Sequence, residues 1–288
     1  MNIRHMFYAL SALFLFSAGK SFASSSALQR NAQVDPLDAA QELPLEINAE
    51  NGIVCEREKN ICTASGNVVA SHGDHVLNCD TLIAYFREGK DRKTELWQVE
   101  AKGNVVIHST KAHHVAYAQH GLYTLDDERA LLTGRNLKLE VDDLTVTAKD
   151  ALEYSKSKNI AFAKGEAVAV KENRLIKGET LKAYFAPNQQ GKHDIQRIEA
   201  FKNVLISTDT EVATGDYGDY LKDKEFATLE GNVKITRQDG QIEGQYAEVK
   251  LDKGTSKVLN QSPVSSTRSR KSNQRVHVLI LPRQKKAA

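Results

Sequence analysis

The sequence is poor in the residues and motifs on which most enzyme active sites are built. It has three cysteines, two methionines and one tryptophan among 288 residues. It contains no Gly-x-Ser-x-Gly, no phosphate-binding glycine loop, no His-Glu-x-x-His and no Cys-x-x-Cys. Paired carboxylates of the kind that process polysaccharides are also missing. These absences predict a protein that is not an enzyme and that needs no cofactor or metal.

Long apolar runs are equally scarce, and the one that exists lies at the N-terminus. Arg4 precedes the apolar stretch 6–18, which is short for a membrane span, and Ser21-Phe22-Ala23 has the small-x-small pattern of a cleavage site. We therefore expect residues 1–23 to be a signal peptide and the exported, mature chain to begin at Ser24. The alternative is an uncleaved inner-membrane anchor. The residue directly after the cleavage site is serine and not cysteine, so a lipoprotein anchor is not expected.

The chain is rich in internal repetition. The segment 80–86, DTLIAYF, returns 99 positions later as 179–185, ETLKAYF. A finer landmark, a Gly-Asn-like pair before an apolar stretch, recurs every 29 to 37 residues. It occurs as Gly66-Asn67, Gly103-Asn104, Arg135-Asn136, Gly165-Glu166, Lys202-Asn203 and Gly231-Asn232. Such repetition predicts a fold built by stacking similar units. Because Gly and Asn tolerate positive φ, we expect turns at these pairs.

The residues after each landmark alternate between two faces, as side chains of a β-strand do. The first and third positions are apolar in all six copies, whereas the second admits lysine at 138 and 234. The twelve apolar positions are Val68, Ala70, Val105, Ile107, Leu137, Leu139, Ala167, Ala169, Val204, Ile206, Val233 and Ile235. Leu82 and Phe86, with their counterparts Leu181 and Phe185, continue the pattern in a second strand. The sequence therefore predicts an all-β protein with one buried face.

Composition divides the remaining chain. We expect a disordered segment at 24–43, a repetitive body at 44–260 with tandem units at about 64–163 and 164–260, a polar linker at 261–274, and a terminal strand with a basic tail at 275–288. The tail has no acidic residue from 261 onward, so it is either a contact for an anionic lipid or partner or a solvated, flexible end. Leu45, Ile47, Val276, Val278 and Ile280 are candidate edge-strand residues, which pair readily with another chain.

Two groups of polar residues carry separate hypotheses. A hairpin turn at Glu58-Lys59 places Cys55 opposite Cys62, where a disulfide can form in an oxidising compartment, and Cys79 is then a buried thiol. The sequence leaves open whether Cys55 and Cys62 are joined. Six of nine histidines fall between 72 and 120, at positions 72, 75, 108, 113, 114 and 120. Ordinary strand histidines are favoured over a metal site at positions 108, 113 and 120.

Several motifs resemble the OstA-like (LptA) family of periplasmic lipopolysaccharide-transport proteins. They are LEINAE at 45–50, ASGNVV at 64–69, NCDTL at 78–82, TLEGNV at 228–233 and RVHVLILP at 275–282. The resemblance extends from about 44 to 283, but a usual member has about one 99-residue unit, whereas this chain has nearly two.

The resemblance implies an open β-jelly roll of two antiparallel sheets with an apolar groove between them. The sixteen apolar residues above would then hold the acyl chains of lipid A. The implied partners are lipopolysaccharide, an inner-membrane jelly-roll partner, an outer-membrane translocon and further copies of the chain joined head to tail, with no nucleic acid. The implied role is lipid transport for assembly of the Gram-negative outer membrane.

Alternatives remain at this point. The sixteen apolar residues would also suit a closed hydrophobic core. A membrane-anchored jelly-roll component of the same pathway would keep its N-terminal segment. An extracytoplasmic structural or adhesive β-solenoid, built as a parallel β-helix without lipid binding, would also repeat, although solenoid repeats are usually shorter and more even.

Overall fold

The computed structural model describes residues 45–89, 94–187, 193–250, 255–263 and 275–280. The expected signal peptide, the segment 24–43, most of the linker and the end of the basic tail lie outside these residues. No helix in the described ranges is long and apolar enough to cross a membrane.

The described chain is almost entirely β-strand. The strands are β1 Leu45–Asn48, β2 Ile53–Glu56, β3 Ile61–His72, β4 His75–Glu88, β5 Thr94–Ser109, β6 His114–Thr124, β7 Arg129–Thr133, β8 Leu137–Val141, β9 Leu144–Ala148, β10 Ala151–Ser155, β11 Ile160–Lys171, β12 Arg174–Pro187, β13 His193–Ser207, β14 Glu211–Leu221, β15 Phe226–Arg237, β16 Gly240–Lys250, β17 Thr255–Leu259 and β18 His277–Ile280. In the described ranges one 3-10 turn, Lys222–Lys224, interrupts them.

The strands form two compact units. Among the described residues, unit 1 comprises those up to 142 with 154–158, and unit 2 comprises 143–153 with those from 159 onward. In unit 1, β3 to β6 form an antiparallel meander, with β1 and β2 on the free edge of β3 and with β7 and β8 on β6. In unit 2, β11 to β16 form the corresponding meander, with β9 on β11 and with β17 and β18 on β16. Antiparallel pairing throughout these ladders contradicts a parallel β-helix.

The duplication is reproduced in three dimensions. β3 and β11 begin and end 99 residues apart, and so do β4 and β12. The expected all-β jelly roll with an internal duplication is therefore confirmed. The predicted boundary near 163 between the two repeats stays a prediction. The compact units, which are defined by contacts and not by the repeat, divide near residue 142.

The landmark pairs were expected at turns, and that expectation is wrong for five of the six; the sixth, Arg135-Asn136, lies in the bend between β7 and β8. The strand ladders jump across residues 66–67, 103–104, 165–166, 202–203 and 231–232, so each of these pairs is a β-bulge inside a long strand. Both residues of each pair have positive φ, for example 73° at Gly103 and 46° at Asn104. A bulge bends its strand and leaves residues unpaired. One long strand can thus contribute a segment on each side of the bend.

Candidate functional site

The two segments of each bent strand face each other across an apolar interior. A methyl group added to Gly121 in β6 would lie 3.6 Å from Val105, which follows the β5 bulge, and 3.8 Å from Ala101, which precedes it. In unit 2, a methyl group on Gly218 would lie 3.2 Å from Val204 and 3.8 Å from Ala200. The residues before and after the bulge therefore line one common interior in each unit.

The sixteen predicted inner residues all lie on this inner face, by strand alternation. Eleven are buried: Val68, Ala70, Leu82, Val105, Ile107, Leu137, Ala167, Leu181, Val204, Val233 and Ile235. Five are half-buried: Phe86, Leu139, Ala169, Phe185 and Ile206. Their contact with lipid stays a prediction, because burial alone is equally what a hydrophobic core requires.

The interior of unit 1 is nearly filled by its own side chains. A cavity of about 30 Å³ remains, and its walls are apolar residues from β4 to β7, including Leu77, Ile107 and Tyr123. By this measure one water molecule needs about 10–15 Å³, so the partly open pocket has room for about two. Its walls would have to move apart to admit an acyl chain.

Part of the inner face of unit 2, on β11 to β13, is more accessible to solvent than its counterpart in unit 1. Ala169, Ile176 and Ile206 are half-buried, whereas the residues 99 positions earlier, Ala70, Leu77 and Ile107, are each at most 4% exposed. The two units thus have the same pattern of inner residues but differ in access to them.

An acidic or amide side chain stands against several of the bulges. Asp80 in β4 accepts hydrogen bonds from Asn104 Nδ2 at 3.1 Å, and Asp216 in β14 accepts one from Asn232 Nδ2 at 2.8 Å. Glu50 accepts a bond from Asn67 Nδ2 at 2.8 Å in the same way. Sequence reasoning missed these contacts, which fix the bend at its most exposed point.

The outer face of unit 1 carries a polar network around Glu100. Its carboxylate accepts a hydrogen bond of 2.7 Å from the Tyr85 hydroxyl, lies 2.7 Å from His120 Nε2, and is 3.2 Å from Lys102 Nζ. Burial alone would raise the pKa of Glu100, but the hydrogen bonds from these three groups outweigh it and lower that pKa to about 2. In unit 2 the matching Glu199 accepts bonds from Tyr184, Tyr217 and Arg197.

The predicted histidine ligands do not come together. His120 belongs to the Glu100 network, His113 is exposed in the β5–β6 turn, and His108 lies on the outer face of β5. No set of three possible metal ligands occurs in the part of the chain that the structure describes.

Two of the three cysteines lie in the β2–β3 hairpin, and the third lies in β4. Cys55 and Cys62 are directly opposed in the β2–β3 ladder and form a disulfide. Cys79 is a free, buried thiol on the inner face of β4, and burial raises its pKa to about 11.

The candidate edge residues lie at outer strands of the two units. Leu45 and Ile47 in β1 are half-buried and pair with β3 on one side. Val278 and Ile280 in β18 are 51% and 76% exposed and pair with β16, while Val276, just before the strand, is 39% exposed. Sequence reasoning missed Ile53 and Val54 of β2, which are 52% and 63% exposed.

Two comparisons with known proteins give a match. The crystal structure of LptH, "the LptA homologous periplasmic component of the conserved lipopolysaccharide transport device from Pseudomonas aeruginosa", matches with 16% identity and a TM-score of 0.41, over 48% of this chain and 95% of that one. Curated proteins give no match. The family pattern described as "LptA/(LptD N-terminal domain) LPS transport protein" matches residues 46–150 and again residues 145–255. These two matches cover well over half of the sequence, and the chain therefore belongs to the LptA/LptD N-terminal-domain family of LPS transport proteins.

Proposed function

We propose that the chain is a periplasmic lipopolysaccharide-binding bridge protein, which carries lipid A acyl chains in its apolar interior from the inner to the outer membrane. One observation supports this most strongly. The same inner apolar face recurs in six copies along a chain whose two halves each match a family of LPS transport proteins.

The mechanism is passive and involves no catalytic residue. Acyl chains displace contacts between the two segments of each bent strand and lie against residues such as Val105, Ile107, Val204 and Ile206. Burying acyl chains there is favourable because it removes apolar surface from water. Since successive repeats present similar surfaces, neighbouring positions differ little in free energy, which suits sliding. The driving force comes from an energised inner-membrane partner.

Edge strands are the proposed sites of assembly. β18 carries Val278 and Ile280 with exposed side chains and is an outer strand of unit 2, while β1 is an outer strand of unit 1. An unpaired strand edge can pair with another chain through backbone hydrogen bonds. Head-to-tail copies, an inner-membrane jelly-roll partner and an outer-membrane translocon are the proposed partners.

The competing function is a structural or adhesive extracytoplasmic protein that binds no lipid. The burial of eleven of the sixteen inner residues favours it, because a closed core needs no ligand. The two functions differ in what contacts the inner face in the cell.

Photo-crosslinking distinguishes them. A photoreactive residue is placed at Ile107 in unit 1 and at Ile206 in unit 2, with outward-facing controls at Lys138 and Lys234. Lipopolysaccharide adducts at an inner position and not at its control would support transport. If the protein is folded and exported but gives no adducts at either inner position, the structural or adhesive function is supported instead.

A further inference from the structure

The inner face of unit 1 ends in a row of three histidines. His72 and His75 are directly opposed in the β3–β4 ladder, and His114 is opposed to Val141 in the β6–β8 ladder. By strand alternation they continue the inner positions Ala70, Leu77 and Ala116, all of which are buried. His114 itself is 3% exposed. Among the described residues, the histidines therefore form the last layer of the interior at the end where the β3–β4 and β5–β6 turns lie.

The charged groups around this row lie at its rim. Asp74 in the β3–β4 turn pairs with Lys111 of the β5–β6 turn at 2.9 Å, and Asp142 Oδ1 after β8 lies 3.8 Å from His114 Nε2. The neighbouring strands contribute uncharged residues to the row, Leu45 opposite His72 and Ser109 opposite His75. His113 is exposed in the turn and His108 lies on the other face of β5. Burial lowers the pKa of His75, Asp74 opposes this change, and His72 and His114 add to it.

Unit 2 has a charged row of lysine, arginine and glutamate at the equivalent place. Lys171 and Arg174 stand 99 positions after His72 and His75, are directly opposed in the β11–β12 ladder, and are both exposed. The β14 residue that corresponds to His114 in the ladder is Glu211, which bonds Arg237 Nε at 2.8 Å. Next to this charged row Ala169, Ile176 and Ile206 are half-buried, although Ala213 and Ile235 at its far end are buried. Next to the histidine row Ala70, Leu77, Ile107 and Ala116 are all buried.

We propose that the histidine row is a proton-operated closure of the unit 1 interior. Neutral imidazoles close the end of the interior, and protonation opens it to an acyl chain, whereas the charged row keeps the end of unit 2 accessible at any pH. The choice of an acyl chain as the entering group rests on the proposed function, but the closure itself does not.

The direction in which acid shifts the equilibrium between the closed and open states follows from which state binds protons more readily. A histidine that is hydrated in the open state but buried in the closed state binds a proton more readily when open. Acidification below about pH 6.5 therefore shifts the equilibrium toward the open state, by up to about tenfold at pH 5.5 for one histidine.

Cys79 is a built-in reporter of this opening. Its thiol is buried on the inner face of β4, four residues and about 13 Å from His75. Because Cys55 and Cys62 are joined, only Cys79 reacts with dithiodipyridine, a reagent that remains active in mild acid. Labelling rates are measured between about pH 7.5 and 5.5 with a chelator present, which separates protonation from metal binding.

The decisive variant is His75→Gln/His114→Gln, and the matched control is His108→Leu on the opposite face. Labelling rates of Cys79 are expressed relative to those of the double variant at each pH, which cancels the effect of thiol ionisation that both proteins share. Circular dichroism at pH 7.5 checks that the variants are folded. We expect the relative rate to rise several-fold on acidification in the natural protein and in the control. Equal pH profiles for the natural protein and the double variant would overturn the proposal.

Acyl entry is measured separately with crosslinkers at Ile107 and Ile206 and with lipid A in vesicles. We expect adducts at Ile107 to increase in acid and adducts at Ile206 to stay constant. If the amount of adduct at Ile107 did not change with pH, the proposed closure would be overturned. The absence of adducts at both positions would refute the proposed transport role, while the Cys79 rates would still decide whether the row opens.

Discussion

The bulge at Gly103 provides a sharp test of how the bent strands are held. Gly103 has a φ of +73°, and a methyl group added there would lie 2.0 Å from Asp80 Oδ2. The left-handed conformation costs an alanine about 1 to 2 kcal/mol. Moving Asp80 aside also breaks its two bonds of 3.1 Å from Asn104, which at this exposed site contribute about 1 to 2 kcal/mol. We expect Gly103→Ala to lower the free energy of unfolding by about 2 to 4 kcal/mol in total.

Gly52 separates the two contributions. It also has a positive φ, +91°, but a methyl group there would meet no atom within 4 Å. Gly52→Ala should therefore lose only the conformational cost, about 1 to 2 kcal/mol. Urea unfolding, followed by far-ultraviolet circular dichroism, measures both variants. In Asp80→Ala/Gly103→Ala the two shortest contacts, with the carboxylate, are gone and only the 2.9 Å contact with Cβ of residue 80 remains, so the double variant should lose less than the sum of the single changes. Equal losses for Gly103→Ala and Gly52→Ala, with additive double-variant effects, would refute the role assigned to Asp80.

Three further changes test the rest of the structure. Replacing Cys55 and Cys62 by serine opens a loop with a sequence separation of 7 and should cost about 2.5 kcal/mol in urea unfolding, whereas no loss would mean that the bond does not form. Because the pKa of Glu100 is lowered to about 2, its contribution is complete above about pH 4.5 and is lost as the pH falls toward 2. Glu100→Gln should therefore reduce stability at neutral pH by about 1 to 2 kcal/mol and flatten this acid-induced loss, with Glu95→Gln as the control. Ile280→Asp should abolish self-association in analytical ultracentrifugation, and Lys257→Asp on β17 should not.

The inner face was predictable because alternation is a local property of a strand. Val233 and Ile235, two residues apart after one landmark, are each 1% exposed. The bulges were not predictable, because a Gly-Asn pair tolerates positive φ equally well in a turn and inside a strand. Only the register across the ladder, with Lys102 opposite His120 and Val105 opposite Ala118, distinguishes the two.

The histidines show the same limit in a different form. In the sequence they form one cluster, but strand alternation divides them between faces. His72, His75 and His114 end the inner face, while His108 and His120 lie on the outer face. Assigning each histidine to a face required the lengths of the hairpin turns, which composition and spacing leave open. The possible metal ligands at positions 108, 113 and 120, which the sequence already disfavoured, are residues that the fold separates.

The outer face offers a way for the interior to open, as the proposed function requires, without losing its register. Tyr85 donates to Glu100, and 99 residues later Tyr184 donates to Glu199, so this bond between adjacent strands is retained in both units. A slip of one residue would exchange every inner side chain for an outer one. If an acyl chain displaces contacts inside the bend, as proposed, packing there no longer opposes such a slip. Hydrogen bonds on the outer face are untouched by an entering chain, so they can hold the strands in register while the interior separates.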